Sequence, residues 1–371
     1  MTHRLLPYAA ATLFACAALS AQANPQEERH NFTFYGQIGY ELQYLDPEIS
    51  EADGLDWGAY LSRIGVRGDY TISDELAAVY QVESFLLHGE SGDPIGFRNT
   101  YGGLRHATFG ELRFGRHDTP HKRANLPFFA GANLLFDTAE GSGSGLGRWN
   151  TTLTTPETDS GDELFHAIAR GRGFIAQRFQ RWHGTLHYLS PRIHGVTFEA
   201  ALRPVQEQGG EESWVDFSTS LTYRHDQWLL NAAYESEGAL DDSGAGGSGV
   251  YSSWLVGVLF TPNDLLSIGA QVEQLDIDVD RDLHGDLLRI LLPIKLDFGQ
   301  HYVHTFLKYD DFDYQDRTAA CEEGCADEWL DIGLQVGYFL DTERNTQVYG
   351  VAGSAMDIEG VNYGVGVRHH W

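Results

Sequence analysis

The last eleven residues, Val361-Asn362-Tyr363-Gly364-Val365-Gly366-Val367-Arg368-His369-His370-Trp371, carry the reading of the fold. Val361, Tyr363, Val365 and Val367 alternate with Asn362, Gly364, Gly366 and Arg368, so a strand here has one greasy face and one polar face. Segments with the same period of two recur from Phe32 onward, separated alternately by tight turns and long polar loops. Leu330, Ile332, Leu334, Val336, Tyr338 and Leu340 share one face, while Asp331, Gly333, Gln335 and Gly337 share the other. Likewise Val215, Phe217 and Leu221 oppose Asp216, Ser218 and Ser220. Charged and polar rows of this kind suit a water-filled interior, with the apolar rows turned to hydrocarbon.

Alternation and turn chemistry together mark sixteen strands, the first at 31–45 and the last at 361–371. The predicted fold class is all-β, a 16-stranded antiparallel transmembrane barrel. Connections after even-numbered strands are short (TISDEL, FGEL, SPRIHG, HDQ, TPND, GQ, DTERN) and should face the periplasm. Those after odd-numbered strands include Asp46 to Asp56, Gly238 to Gly249 and Phe312 to Ala326, and should face outside. Tyr70, Tyr188, Trp228, Phe260, Phe298, Tyr338 and Trp371 gather beside the short turns, as an interfacial girdle requires. Two segments fit badly. Arg105, in 98–109, falls on the face assigned to lipid, and Pro293, in 285–298, removes a ladder donor; a bulge would accommodate either.

Residues 1–23 read as a cleaved signal peptide: Arg4 supplies a charge, Leu5 to Ser20 form a short apolar run, and Ala21-Gln22-Ala23 has the small-x-small form of a cleavage site before Asn24. Residues 24–371 are then one barrel domain. Cys16 leaves with the leader, and Cys321 and Cys325, in CEEGC, could close a small loop disulfide in an oxidising compartment. A formal charge of -28 repels nucleic acid. The mean hydropathy of -0.31 suits a barrel as well as a soluble chain, because only alternate strand residues meet lipid.

From His117 to Ala176 no strand is obvious, a length that points to a functional loop. It holds Leu126, Pro127, Phe128, Phe129, Ala130 and Gly131, an apolar piece suited to packing inward, then Asp137, Glu140 and a Gly-Ser tract. Strand parity turns Arg63, Arg67 and Arg98 inward; Arg224, Arg289, Lys295 and Arg368 are further lumen candidates. Acids at Asp276, Asp278, Asp280 and Asp282, and at Asp310, Asp311, Asp313 and Asp316, lack the glycine and distant glutamate of a calcium loop and read as solvated external loops. His183 and His187 share a strand face, yet neither they nor His369-His370 have a third metal ligand at a useful spacing. Gly244 to Gly249 matches GxGxxG but follows no βαβ unit. No cofactor or metal is implied, and no HExxH, GxSxG or P-loop nominates an enzyme.

FYGQIGYELQY, SRIGVRG followed by LAAVYQVE, YGGLRHATFGELRFGRHDTP, LHYLSPRIHGVTFEAAL and the terminal aromatic together resemble the general bacterial porin family over essentially all of the mature chain. The resemblance implies an outer-membrane location among lipid and lipopolysaccharide, a homotrimer, and passive diffusion of ions and small hydrophilic solutes. It also implies a third external loop folded into the pore, whose acids face wall arginines. Arg63, Arg98 and Arg181 match wall positions. The family's Pro-Glu-Phe-Gly-Gly is Pro127-Phe128-Phe129-Ala130-Gly131 here, so Asp137 and Glu140 stand in as the loop acids. Trp371 is the C-terminal barrel-assembly signal. The overall acidity suggests mild cation preference, which the inward basic row opposes. Alternative readings are a channel selective for anions or a nutrient, and a surface-binding or adhesive β protein.

Overall fold

The computed structural model describes residues 29–45, 54–59, 62–86, 97–128, 181–206, 213–238, 249–279, 283–314, 328–355 and 360–371. The leader 1–23, Phe129, Gly131, Asp137, Glu140, Asp280, Asp282, Asp316, Cys321, Cys325 and the run 244–248 lie outside the described residues.

The strands are β1 (His30–Leu45), β2 in two segments (Gly54–Ala59 and Arg63–Thr71), β3 (Leu76–Phe85), β4 (Phe97–His106), β5 (Gly110–Asp118), β6 (Arg181–Leu189), β7 (Val196–Gln206) and β8 (Ser213–His225). There follow β9 (Trp228–Gly238), β10 (Gly249–Phe260), β11 (Leu266–Val279), β12 (Leu283–Phe298), β13 (His301–Tyr314), β14 (Glu328–Phe339), β15 (Thr346–Ala355) and β16 (Asn362–His370). Each pairs antiparallel with its chain neighbours, and β1 pairs with β16 from Gln37↔His370 to Tyr44↔Tyr363, so the sixteen-stranded sheet closes with no free edge. Both segments of β2 pair with β1; the register moves by one residue between Tyr40↔Ala59 and Gln37↔Arg63. Beside that step the Ser62 hydroxyl accepts from the Gly39 amide at 3.0 Å and donates to the Gly39 carbonyl at 3.2 Å.

Exposure follows the period of two with the apolar side outward. In β14, Ile332, Leu334 and Val336 are 44%, 42% and 49% exposed, whereas the intervening Gln335 is 1% and Asp331 5% exposed. A chain folded around a dry core would show the reverse. The greasy exterior is therefore the lipid surface, and Tyr70, Trp228, Phe298 and Trp371 stand exposed at the short-turn end. Trp371 closes the seam: its amide and carbonyl bond those of Gly36 at 3.2 and 3.3 Å, and Gly36 leaves the room its indole fills.

Irregularities correct the simple alternation in two places. In β4 the register against β3 shifts between Ser84↔Phe97 and Val82↔Thr100, inserting one residue; Arg98 and Arg105 thus both reach the interior, although they differ in parity. A bulge in β6, between Trp182 and Thr185 with Gly184 at φ +59°, turns His183 outward while His187 is buried inside, so these histidines do not share a face. Pro293 needs no bulge: pairing of β11 with β12 resumes in the same register on either side of it, and its ring lies opposite Gly269, where a side chain would crowd it. Asp276 and Asp278 lie in β11, and Asp310, Asp311 and Asp313 in β13, because these strands run farther outward than the acidic composition suggests.

After β5 the chain turns into the barrel. Thr119 caps a short helix, α1 (Pro120–Asn125), accepting from the Lys122 amide at 3.2 Å, with Pro120 in the first turn; a single 3-10 turn, Leu126–Phe128, follows. These residues lie against the inner faces of β7 to β12. The His121 amide donates to Ser218 at 3.1 Å, the Asn231 side-chain amide to the Ala124 carbonyl, and Lys295 to the Pro127 carbonyl at 3.1 Å. Phe128 is wholly buried in an apolar cluster with Leu229, Leu291, Tyr302, Phe306 and Tyr349.

Candidate functional site

On the interior wall from β1 to β6 three carboxylates are each held between two cations. Glu83, inward by parity in β3, meets Arg98 at 2.7 Å and Arg63 at 3.9 Å and accepts from Tyr35 at 2.9 Å. Glu111 at the start of β5 binds Arg105 at 2.7 Å and also Arg113. Asp118 at its end binds Lys122 at 2.9 Å and Arg181 at 3.0 Å, and accepts from Asn99 at 2.9 Å. Arg98, Arg105 and Arg113 make charge-assisted hydrogen bonds, and Arg63, Lys122 and Arg181 form ion pairs, so that long side chains are fixed along the channel wall.

Aromatic faces order the same wall. Arg98 and Arg181 both lie over the Phe85 ring, at 4.5 and 6.0 Å from its centroid, which brings two predicted wall arginines together. Arg67 lies 5.1 Å over Tyr35, and Arg113 4.6 Å over Tyr101. Arg116 is within electrostatic reach of Arg98, Arg181 and Asp118. From α1, Arg123 reaches Glu199 on β7 at 2.8 Å, and Glu199 also bonds His187 at 3.1 Å. Between this wall and α1 is a cavity of about 420 Å³, lined by Arg67, Arg105, Arg113, Arg123, Tyr101 and Asp118, among others.

Across the barrel carboxylates and cations are more evenly matched. Asp310 bonds Arg289 at 2.7 and 3.0 Å and lies 3.2 Å from Lys308, which also meets Asp331 at 2.6 Å. Glu273 accepts from Ser253 at 2.9 Å and lies 3.4 Å from His121. Here two carboxylates share Lys308. Asp310 is thus a buried interior group rather than a solvated loop acid.

Of the predicted site residues, Arg63, Arg67, Arg98 and Arg181 lie together on this wall, while Pro127 and Phe128 pack against the opposite one. Sequence reasoning sought acidic partners in the loop and missed Glu83, Glu111 and Asp118. Parity in LAAVYQVE and GELRFGR was the available signal for the first two.

A closed barrel with lipid-facing apolar rows and a charged, solvent-bearing interior is an outer-membrane channel. The sequence matches the family model for Gram-negative porins over residues 9–357, and the chain belongs to that family. It is an outer-membrane channel for passive diffusion. Among solved structures it is similar to OmpT of Vibrio cholerae, folded in vitro and in its trimer form, with 17% identity, a TM-score of 0.65, and 92% of this chain and 100% of that chain covered. It is also similar to an anion-selective porin from Comamonas acidovorans, with 15% identity, a TM-score of 0.65 and 92% and 100% coverage. A third similar structure is Salmonella typhi OmpF in complex with daunomycin, with 16% identity, a TM-score of 0.60 and 92% and 97% coverage. No curated protein sequence matches significantly.

Proposed function

We propose that the protein passes ions and small hydrophilic solutes through a constriction with a transverse field, its positive side formed by Arg63, Arg67, Arg98 and Arg181. The observation that carries this reading is the sharing of Glu83, Glu111 and Asp118, each by two cations, which leaves the wall net positive. Opposite it, Asp310 and Asp331 are matched by Arg289 and Lys308, and Glu273 adds a further carboxylate. Such a field orders water and raises the cost of passage for apolar molecules. Asp137 and Glu140 extend the negative side from the loop. The working assembly is a homotrimer in lipid and lipopolysaccharide, after removal of residues 1–23.

A second reading, preference for anions, is favoured by the same shared carboxylates, since the net charge of -28 counts groups far from the path. The reversal potential of a planar bilayer under a salt gradient decides between them. Arg63→Gln should move that potential toward cations. An unchanged potential in Arg63→Gln and Arg98→Gln alike removes these residues from the pathway.

A further inference from the structure

From Arg67 toward the short turns, strand register lays out the inner wall in three rungs. Thr33, Arg67, Gln81 and Tyr101 stand opposite one another across β1 to β4. Asn31, Asp69, Val79, Gly103 and Arg113 form the next rung, across β1 to β5. On the last, Arg105 faces Ala77. Val79, Gly103 and Ala77 are small, so the middle of the patch is hollow and the arginines stand around it. Residues of all three rungs, with Arg123 of α1, line the cavity of about 420 Å³. Arg67 lies four residues beyond Arg63 along β2, about 13 Å nearer the short turns, so the cavity runs from the lower edge of the constriction toward the short-turn mouth.

The cations around this hollow are not all matched. Among the described residues Arg67 forms no ion pair; its guanidinium lies 5.1 Å over the Tyr35 ring and the residue is exposed to the lumen. Arg105 and Arg113 divide Glu111 between them, and Arg105, half exposed, is also 3.9 Å from Asp69. Asp118 is shared by Lys122 and Arg181, whereas Arg123 is matched by Glu199. In this group six cations face four carboxylates, an excess of two positive charges. Neutral hydrogen-bonding groups complete the lining. Asn31 and Thr33 are exposed to the lumen, and Gln81 donates to Tyr35 at 2.6 Å, which leaves its carbonyl oxygen to accept.

We propose that this enclosure binds sugar monophosphates in transit, a substrate class that rests on the diffusion reading given above. A phosphate monoester carries a charge of about -1.5 to -2 near neutral pH and three strong acceptor oxygens. Arg67 from β2, Arg105 from β4 and Arg113 from β5 surround the hollow on three sides, which suits a tetrahedral acceptor; a planar carboxylate is satisfied by one guanidinium fork. Inorganic phosphate alone would leave most of the volume to water, whereas the hydroxyls of a sugar reach Asn31, Thr33 and Gln81. A nucleotide fits less well, because Arg67 and Arg113 already lie over the Tyr35 and Tyr101 rings on which a base would stack.

The test is isothermal titration calorimetry of the full-length barrel in detergent at low salt, with glucose 6-phosphate, glucose, inorganic phosphate and glucuronate. Glucose 6-phosphate should bind at least about tenfold more tightly than each of the other three, a comparison that needs no variant. Arg67→Gln should weaken its binding at least about tenfold. Gln81→Ala should weaken glucose 6-phosphate more than inorganic phosphate, a split that general loosening of the wall would not produce. Heat-modifiable migration shows that each variant has folded. Absence of binding heat for glucose 6-phosphate, equal affinity for it and for inorganic phosphate or glucuronate, or a folded Arg67→Gln that binds it as wild type does, overturns the proposal. The bilayer reversal potential decides the underlying reading separately: a channel that responds to Arg63→Gln but binds no glucose 6-phosphate rejects this site alone, whereas a barrel that binds it without conducting keeps the site and rejects diffusion.

Discussion

Gly257 is the socket in which the inward chain is seated, and filling it tests how the loop is held. A Cβ at this position would come within 2.5 Å of Phe128 Cζ and 2.7 Å of Asn231 Oδ1. Carbon atoms in contact need about 3.5–4.0 Å, so in Gly257→Ala the ring must retreat by roughly 1 Å. Overpacking on this scale costs about 1–3 kcal/mol. That lowers the ratio of seated to unseated loop roughly 5- to 150-fold. Phe128→Ala approaches the same contact from the other side: truncating a fully buried phenylalanine removes about 3–5 kcal/mol of packing. Both changes lie on the interior face and spare the ladder of β10. In single-channel recordings the wild type should hold a steady level, whereas Gly257→Ala should add open-channel noise or a second conductance level, and Phe128→Ala should enlarge that effect. Superimposable traces for all three proteins would refute the idea that this knob and socket position the loop.

Arg98→Gln should be more disruptive than Arg63→Gln, because Arg98 makes the closer bond to buried Glu83; a loss of about 3 kcal/mol in urea unfolding from vesicles, against about 1 kcal/mol or less for Arg63→Gln, is expected. At the β14–β15 turn the Asp341 carboxylate accepts from the amides of Asn345 at 2.9 Å and Thr346 at 2.6 Å, and these bonds hold it below the usual carboxylate range. Its contribution is therefore complete above the ordinary aspartate value near about 3.9 and fades as the pH falls through the lower folded value. Amide exchange at Asn345 and Thr346, corrected for intrinsic rates, should accelerate in that window for the wild type and show no such step in Asp341→Asn. Gly36→Val denies Trp371 its place on β1 and should reduce the yield of folded, heat-modifiable barrel in outer membranes at least as much as deleting Trp371. Normal assembly of Gly36→Val would dissociate seam closure from that contact.

The alternation of Leu330 to Leu340 against Asp331 to Gly337 was enough to place strands, assign the lipid face and count sixteen crossings, because each inference uses neighbours two residues apart. It was enough, too, to turn Arg63, Arg67 and Arg98 inward. Local periodicity fails where a single inserted residue inverts the phase. The β4 bulge delivers Arg105 to Glu111, and the β6 bulge exchanges His183 for Trp182, yet neither step changes the composition of its strand. The contacts that organise the interior also join distant positions: Phe128 with Gly257, His121 with Ser218 and Ser253, Lys295 with Pro127. Closing the sheet is what brings those residues face to face. The sequence by itself determined a barrel with a polar hole; only tertiary structure decided which cations share a carboxylate, since that depends on register and on the path of the chain across the lumen.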